Sequence, residues 1–326
     1  METYNALVVD ERRASIQPKS LAPLADNEVR IEVHFSSLNY KDALAVTGKG
    51  RIMRRFPMIA GIDAAGLIVE SNSTQFAVGD PVLVTGYELS QTHDGGYAEY
   101  LTVPADWVVA LPSGLSLSDA MSFGTAGFTA GLAMLRLIEN HQSVEMGPVA
   151  VTGASGGVGS FSISFLAALG FEVVAFSRKQ KNSQQYLTEL GAGRVIDPGT
   201  LTFSGQPLEK SQWGGAVDTV GGELLSWLTR TVGVHGNIAC CGLAGGADLN
   251  TTVMPFILRG ISLLGVDSVA CAMPLRKKVW ESLATELKPS KLQSIVTDTI
   301  PLAEVVNIAR DMLDGKTVGR YVVAIR

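Results

Sequence analysis

The chain has 326 residues, of which 46% are hydrophobic and 17% charged, and its formal net charge is −5. This length and apolar content predict two domains with large cores and exclude a disordered chain, and the acidic balance argues against non-specific nucleic-acid binding. The N-terminus lacks the pattern of a secretion signal, and no apolar run reaches the roughly 18–20 residues of a membrane span. With only three cysteines, neither disulfide stapling nor zinc binding is favoured, so we expect a cytoplasmic protein without a membrane partner.

Residues 1 to about 120 carry short strand patterns separated by turns. Strand-like alternation or apolar runs occur at Val29–Phe35, Ala64–Glu70, Val78–Val84 and Gly96–Val103. Because no helix pattern intervenes, these segments predict a β-rich, barrel-like domain.

From Ser118 onward, helix and strand patterns alternate. Ser118 is the expected N-cap of a first helix. Strands are expected at Val149–Val151, Glu172–Phe176, Arg194–Asp197, Gly215–Val220, Gly236–Cys241 and Ile261–Val266, and helices at Ser160–Leu169, Gln184–Leu190, Glu223–Thr231, Pro274–Leu287 and Leu302–Asp314. The alternation is typical of a doubly wound parallel sheet. We expect a Rossmann-type domain at 121–264 and a discontinuous β-rich catalytic domain made of 1–120 with 265–326, closed by a final strand at Arg320–Arg326.

A glycine-rich turn follows the strand at Val149. Gly153, Gly156 and Gly159 lack a Cβ where the backbone must turn tightly, approach a pyrophosphate and pack against the strand. The following helix directs its N-terminal N–H groups at phosphate. The residues predicted to contact the cofactor here are Gly153, Ser155, Gly156, Gly157, Val158 and Gly159.

The next strand indicates which dinucleotide is bound. It ends at Ser177, Arg178 and Lys179, where an NAD-binding unit would place an acidic residue for the ribose. A hydroxyl and two cations suit a 2′-phosphate instead, and Arg194 on the following strand is a further candidate. We therefore expect NADPH as the cofactor.

Motifs spread over the whole chain form a family pattern. They are Ser36–Asp42 (SSLNYKD), Gly61–Gly66 (GIDAAG), Val78–Pro81 (VGDP), Gly95–Glu99 (GGYAE), Gly124–Ala130 (GTAGFTA), the glycine turn and Asp218–Gly222 (DTVGG). Together they resemble the medium-chain dehydrogenase/reductase superfamily. Asn39–Ala45, Thr47–Gly50, Cys241–Gly246, Thr252–Arg259 and Gly265–Ser268 resemble its quinone oxidoreductase branch, which includes acrylyl-CoA reductases.

This resemblance implies a Rossmann-type sheet, a GroES-like barrel and a homodimer. It also implies hydride transfer from NADPH to the C=C bond of an α,β-unsaturated acyl-CoA, acrylyl-CoA giving propionyl-CoA. Further cofactor contacts implied by position are Thr129, Leu243, Ser268 and Arg320. An NADPH:quinone oxidoreductase is the alternative enzyme, and a non-catalytic NADPH-binding sensor is a third interpretation, since fold alone does not establish turnover.

The resemblance also bears on metal. Zinc-dependent members place a cysteine three residues before the aspartate matching Asp42, and a His-Glu pair after the glycine matching Gly61. Here Asn39 and Ile62-Asp63 stand at those positions. Because zinc needs thiolate or imidazole ligands in a tetrahedral set, we expect no metal.

Two segments supply candidates for catalysis and substrate binding. The Tyr40 hydroxyl is a candidate to contact the nicotinamide ribose or to donate to substrate, although it could also be a packed aromatic. Asn39 is a candidate to orient the carboxamide or the substrate carbonyl. Four cations, which are either an anchor for CoA phosphates or an ordinary solvated surface, follow at Lys49, Arg51, Arg54 and Arg55.

Overall fold

The structure is a computed structural model that describes residues 3–11 and 13–326. It divides into two compact units: the chain up to Ala126 together with Ser268–Arg326, and Gly127–Asp267. Residues 1, 2 and 12, which the sequence assigns to the β-rich domain, lie outside the described residues.

The first unit is built on two sheets. The smaller sheet has the order β2-β1-β4, and the larger has the order β15-β16-β3-β5-β6-β8 with β7 also paired to β3. The bounds are β1 (Thr3–Val9), β2 (Ala14–Ser20), β3 (Glu28–Leu38), β4 (Met58–Ile59), β5 (Asp63–Ser71), β6 (Pro81–Thr85), β7 (Tyr100–Pro104), β8 (Val109–Ala110), β15 (Val296–Pro301) and β16 (Arg320–Ala324). Strand β3 is central, since β5, β7 and β16 all pair with it in antiparallel fashion.

The final strand β16 brings the end of the chain back to this unit. Tyr321 pairs with Leu38 of β3, and Val323 is fully buried beside it. The helices of the unit are α1 (Tyr40–Thr47), the first part of α2 (Leu117–Glu139), α7 (Met273–Ala284) and α8 (Val305–Leu313). One apolar core joins α1 to β16 and α8, with Ala43, Val323 and Val305 all buried in it.

The second unit is a six-stranded sheet in which every pairing is parallel. Its order is β11-β10-β9-β12-β13-β14. The bounds are β9 (Val149–Thr152), α3 (Gly157–Ala168), β10 (Val173–Phe176), α4 (Gln180–Glu189), β11 (Arg194–Ile196), β12 (Trp213–Asp218), α5 (Gly222–Thr231), β13 (Val232–Cys240), α6 (Met254–Arg259) and β14 (Ser262–Gly265). The order reverses at β9, and this switch point is where doubly wound sheets bind ligands.

One local prediction is wrong: a helix does intervene among the strands of residues 1 to about 120, because the segment that begins at Tyr40 forms α1. Asn39 precedes the first turn, and its backbone N–H donates to Asp42 Oδ2 at 3.0 Å. Gly48 ends the helix in the left-handed conformation with φ 69°. At eight residues the helix is too short to show a clear apolar period.

The start of α2 also differs from the prediction. The helix begins at Leu117, and it is Ser116 that exchanges hydrogen bonds with Asp119, through its hydroxyl (3.0 Å) and its backbone N–H (3.3 Å). Ser118 therefore lies inside the first turn and is not the N-cap.

The expectation about apolar runs needs a correction at the same helix. Leu117–Glu139 has the length and mean hydropathy (1.3) of a membrane span, but 78% of its apolar window is buried within the protein. Its helical dihedrals are interrupted at Gly124 (φ 50°, ψ −157°). A largely buried, broken helix is typical of a protein core.

Candidate active site

The glycine-rich turn has the geometry that its sequence predicts. Gly153 leaves β9 with φ 57°, a conformation that favours glycine, and a Cβ there would collide with Thr219 Oγ1. A Cβ on Gly159 would lie 2.5 Å from the carbonyl oxygen of Gly153. The turn therefore has no room for side chains at these two positions.

Helix α3 begins directly after this turn. It starts at Gly157, three residues before the predicted start, with Gly156 as its N-cap. Among the described residues no side chain caps this end, so the first-turn N–H groups, those of Gly157 and Val158 among them, are suited to an anion. Ser155 lies in the turn and is buried, with its hydroxyl 3.3 Å from that of Ser177.

A polar cleft of about 250 Å³ opens beyond the end of β10. It is lined by Arg178, Lys179, Lys181, Asn182 and Asp197. Burial, and secondly the neighbouring charge of Arg178, lower the pKa of Lys179. Two crowded cations at the end of the second strand would gain from an anion between them, as a 2′-phosphate would be.

Two other predicted cofactor residues lie outside this cleft lining. Ser177 is 3% exposed, and its hydroxyl lies 3.2 Å from Ser183 Oγ and accepts from the Lys179 N–H at 3.2 Å. This favours a role in shaping the turn over direct phosphate contact. Arg194 is the first residue of β11 and pairs with Val174, so it lies towards the amino edge of a sheet whose carboxyl edge carries the cleft. Asp197 occupies that carboxyl edge instead.

In the first unit, Asp63 is the centre of a buried hydrogen-bond network. Its carboxylate accepts from Ser37 Oγ, from Asn39 Nδ2 at 2.8 Å, and from both the backbone N–H (2.8 Å) and the hydroxyl of Thr125. Asp63 is completely buried. Because Gly124 breaks α2, Thr125 begins a new helical segment. Asp63, the first residue of β5, caps the N-terminus of that segment.

The side-chain amide of Asn39 belongs to this network through both its nitrogen and its oxygen. Its Nδ2 also donates to Asp42 Oδ2 at 2.9 Å, and its Oδ1 accepts from Arg320 Nη1 at 3.1 Å. With 7% exposure, the amide positions the start of α1 and does not face open solvent.

Arg320, a predicted cofactor contact, is an internal group of the first unit. It is 2% exposed and donates to the carbonyl oxygens of Leu38 (2.9 Å) and Ser122 (3.3 Å). The guanidinium group therefore connects β16 to the start of α1, and its contact with the cofactor stays a prediction.

Burial of two carboxyl groups perturbs their neighbours. Desolvation, and secondly the charge of Asp63, raise the pKa of Asp42 to about 7. Desolvation and both carboxyl groups also raise the pKa of Tyr97 well above its usual value, and its hydroxyl donates to the Ser37 carbonyl oxygen at 3.1 Å. Hydrogen bonds from the backbone N–H groups of Asn39 and Ile62 keep the Asp42 pKa from rising further.

The remaining candidates differ in exposure. Tyr40 is the first residue of α1 and is 45% exposed, whereas Thr129 is 5% exposed within α2. Leu243 is 67% exposed in the second unit. Ser268 is half-buried, and its carbonyl oxygen accepts from Arg276 Nη2 at 3.2 Å.

Cysteine chemistry is not favoured. Desolvation, Asp218 and Cys240 raise the pKa of the Cys241 thiol to about 12. Its Sγ lies 3.4 Å from the Asp218 carbonyl oxygen. A thiol with such a pKa is a poor nucleophile at neutral pH. Within residues 3–11 and 13–326, no group of three or more His, Cys, Asp or Glu residues is arranged to hold a metal ion.

Two family patterns match the chain. The family described as "Alcohol dehydrogenase GroES-like domain" matches residues 25–113, and the family described as "Zinc-binding dehydrogenase" matches residues 157–286. The protein named "Putative quinone oxidoreductase YhfP" of Bacillus subtilis is 46% identical over 97% of this chain and 96% of its own. The chain belongs to the medium-chain dehydrogenase/reductase superfamily. This confirms the resemblance and the predicted fold class, a Rossmann-type domain with a GroES-like domain.

Other relatives and solved structures cover the chain as fully. Acrylyl-CoA reductase AcuI of Ruegeria pomeroyi is 40% identical over 99% of both chains. The YhdH oxidoreductase of Salmonella enterica, solved in complex with NADP, is 42% identical with a TM-score of 0.93 over 100% of both chains. YhfP, solved with NAD bound, also has a TM-score of 0.93, with 43% identity over 100% of both chains.

Proposed function

We propose that this chain is an NADPH-dependent, zinc-independent reductase of the C=C bond of α,β-unsaturated acyl-CoA thioesters, converting acrylyl-CoA into propionyl-CoA. The observation that carries the proposal is 40% identity to an acrylyl-CoA reductase over 99% of both chains. Three free cysteines among the described residues agree with a reducing cytoplasm as the place of the reaction.

The second unit supplies the cofactor site in this proposal. NADPH, when bound, supplies the hydride. The turn Gly153–Gly159 and the first N–H groups of α3 hold its pyrophosphate, and Arg178 with Lys179 holds its 2′-phosphate. The uncapped helix end and the crowded cations fit these anionic groups. Thr129 and Leu243 of this unit remain proposed contacts nearer the nicotinamide, and Ser268, which belongs to the first unit, stays a predicted contact.

The first unit supplies the substrate chemistry. Hydride addition to the β-carbon leaves an enolate on the thioester oxygen, which needs a hydrogen-bond donor, and the α-carbon needs a proton. Tyr40 is 45% exposed at the start of α1, and its hydroxyl is the proposed donor. Asn39 acts by positioning, because its amide is already bonded to Asp42, Asp63 and Arg320. Asn39 and Asp63, which form one of these bonds, stand where zinc-dependent relatives have a cysteine and the glutamate of a His-Glu pair. This supports a metal-free reaction.

The alternative is an NADPH:quinone oxidoreductase, which the name of YhfP favours at 46% identity. A non-catalytic NADPH sensor is the third interpretation. It agrees with the cofactor site but leaves the exposed Tyr40 hydroxyl without a use.

We also propose that the enzyme is a homodimer formed through the edge of its parallel sheet. Strand β14 is an edge strand, and the preceding helix α6 exposes apolar side chains: Val253 is 67%, Ile257 71% and Leu258 60% exposed. An unpaired strand edge beside an apolar patch suits a two-fold interface. Ile257→Asp should yield a monomer in light scattering, whereas Val78→Asp, at an equally exposed residue of the first unit (67%), should not.

The proposed function is tested by following NADPH oxidation with purified protein. We expect rapid oxidation with acrylyl-CoA, formation of propionyl-CoA, and little oxidation with a benzoquinone. Oxidation by the quinone alone would refute the proposal in favour of the alternative, and NADPH binding without any turnover would favour the sensor. Tyr40→Phe should lower kcat with acrylyl-CoA by about 10²-fold or more if the hydroxyl gives the proton. Tyr4→Phe, in β1, is the matched control.

A further inference from the structure

The chain between Asp42 and Asp63 has an unusual charge pattern. It contains four cations, Lys49, Arg51, Arg54 and Arg55, and no acidic residue, although the whole chain has 31 acidic residues and a net charge of −5. The cations follow α1 directly, after the helix ends at Thr47. An acidic protein that concentrates positive charge in one segment makes a local site for anions.

The structure separates these four cations into two kinds. Lys49 Nζ lies 3.8 Å from Asp314 Oδ1, and Arg55 Nη2 lies 3.5 Å from Asp94 Oδ1. In the part of the chain that the structure describes, neither Arg51 nor Arg54 forms an ion pair, and both are exposed. Two guanidinium groups are therefore available to an external anion.

The segment that carries them is fixed to the body of the first unit. Arg55 Nε donates to the Thr92 carbonyl oxygen at 3.0 Å, and the backbone N–H of Arg54 donates to the Gln91 carbonyl oxygen at 2.8 Å. Met53 is buried at 8% exposure in the core that includes α1. Because the backbone is held, the outward side chains form a preorganised surface.

An exposed aromatic residue follows these cations in the sequence. Phe56 is 47% exposed and follows Arg54 and Arg55 directly. An exposed phenyl ring costs free energy unless something covers it, and the flat face of a purine base is a suitable partner. Two exposed arginines and an exposed phenyl ring within six residues of one segment offer the groups that a phosphorylated adenosine needs.

We propose that Arg51, Arg54 and Phe56 recognise the adenosine 3′-phosphate 5′-diphosphate end of CoA. The arginines bind its phosphates and Phe56 stacks on its adenine. This rests on the proposed function, since it assigns the far end of the thioester substrate. The position is consistent with that assignment: α1 has eight residues and spans about 12 Å, so Tyr40 at its start is separated from the segment after its end. In CoA thioesters the pantetheine arm likewise separates the reactive carbon from the phosphates.

The test compares acrylyl-CoA with acrylyl-pantetheine, which lacks the whole nucleotide. In the unmodified enzyme we expect acrylyl-pantetheine to have a KM at least about 100-fold higher, at similar kcat. Arg51→Ala and Arg54→Ala should each raise the KM for acrylyl-CoA about 10-fold or more. Phe56→Ala should raise it about 5-fold or more. None of the three should change kinetics with acrylyl-pantetheine or the Kd for NADPH.

Matched controls come from the same unit. Lys277→Ala removes an exposed cation of α7, and Ile16→Ala removes an apolar side chain of similar exposure (43%). Neither should alter the KM for acrylyl-CoA. Equal kcat/KM for the two thioesters in the unmodified enzyme would overturn the nucleotide site while leaving the proposed function intact. A variant effect of equal size on both thioesters would do the same. Oxidation of NADPH by quinone alone would overturn both.

Discussion

The cations at the end of β10 make the sharpest prediction about the cofactor. Replacing Arg178 by Ala should weaken NADPH binding and leave NADH binding unchanged, because only NADPH carries the 2′-phosphate. Lys179 is partly desolvated, and its pKa is lowered by burial and by Arg178, so this cation gains from a phosphate that Arg178, which is exposed, also binds. A hydrogen bond to such a charged group contributes about 1.5–3 kcal/mol, which corresponds to roughly a 10- to 150-fold change in Kd.

The assay is titration calorimetry with NADPH and NADH on the unmodified protein, Arg178→Ala and Lys179→Ala. The matched control is Lys210→Ala, an exposed cation of the second unit outside the cleft lining. In Arg178→Ala the pKa of Lys179 should also rise, since one cause of its depression is removed. Loss of NADH and NADPH affinity by the same factor would refute the reasoning, because the two cations would then support the fold or the shared diphosphate.

Three further predictions concern stability and the thiols. Gly124→Ala should destabilise the protein by more than the about 1–3 kcal/mol of backbone strain alone, since its Cβ would lie 2.7 Å from Asp63 Oδ2. Urea unfolding measures the loss of stability. Gly79→Ala is the control for backbone strain alone, because Gly79 has φ 96° and nothing lies within 4 Å of its Cβ position. Because the Asp42 pKa is raised to about 7 in the folded state, the contribution of this group to the free energy of unfolding should be largest below about pH 4 and should be lost as the pH rises to about 7. Asp42→Asn should remove that component of the slope, and an unchanged slope would contradict the assignment. Cys241→Ser should retain activity, and the thiol, with its pKa near 12, should react with iodoacetamide far more slowly than a free cysteine at pH 8. Rapid alkylation of Cys241 at that pH would contradict the raised pKa.

The sequence predicts the second unit better than the first, because the patterns that indicate the strands and turns of the second unit are local. Each strand of the parallel sheet is a continuous apolar run, and Val149–Thr152 and Val173–Phe176 are buried at every position. The N-terminal hairpin was missed, since β2 reads Ala14–Ser20 with a polar composition and an internal Pro18. It forms because β1 pairs with it and packs its own apolar face on the unit. Strand β1 is in turn held by β4, which lies much later in the chain and pairs with Val8 and Val9, and a local pattern does not show such support.

The same contrast separates the two parts of the candidate site. The glycine turn is contiguous in sequence, so its spacing predicts its shape. The network at Asp63 draws on Ser37, Asn39 and Thr125, the last of them 62 positions away in sequence. In the sequence, Asp63 is distinguished only because Ile62-Asp63 stands where zinc-dependent relatives have a His-Glu pair. The role of Asp63 as a helix cap depends on the break in α2 at Gly124, and no short sequence motif predicts that break.

Because Asn39 and Asp63 replace residues of the zinc-binding pattern, we expect that a single substitution does not restore a metal site. Asn39→Cys would return the thiol that zinc-dependent relatives have at this position. Asp63, however, already accepts hydrogen bonds from Ser37, Asn39 and Thr125, and the charge of Arg320 is directed at the same region. A Cβ built on Gly124 would lie 2.7 Å from Asp63 Oδ2 and 2.8 Å from Arg320 Nη2, so the carboxylate and the guanidinium approach the same point.

The substitution therefore removes three hydrogen bonds to charged groups and adds only one zinc ligand. We expect Asn39→Cys to lower the free energy of unfolding on the order of 3 kcal/mol, and added zinc not to restore it. Asn39→Ala is the matched control, since it removes the same bonds without supplying a thiol. Urea unfolding with and without zinc measures both variants. Recovery of stability by zinc in the cysteine variant alone would show that the donors around Asp63 rearrange readily, and would contradict the expectation that this network leaves no room for a metal.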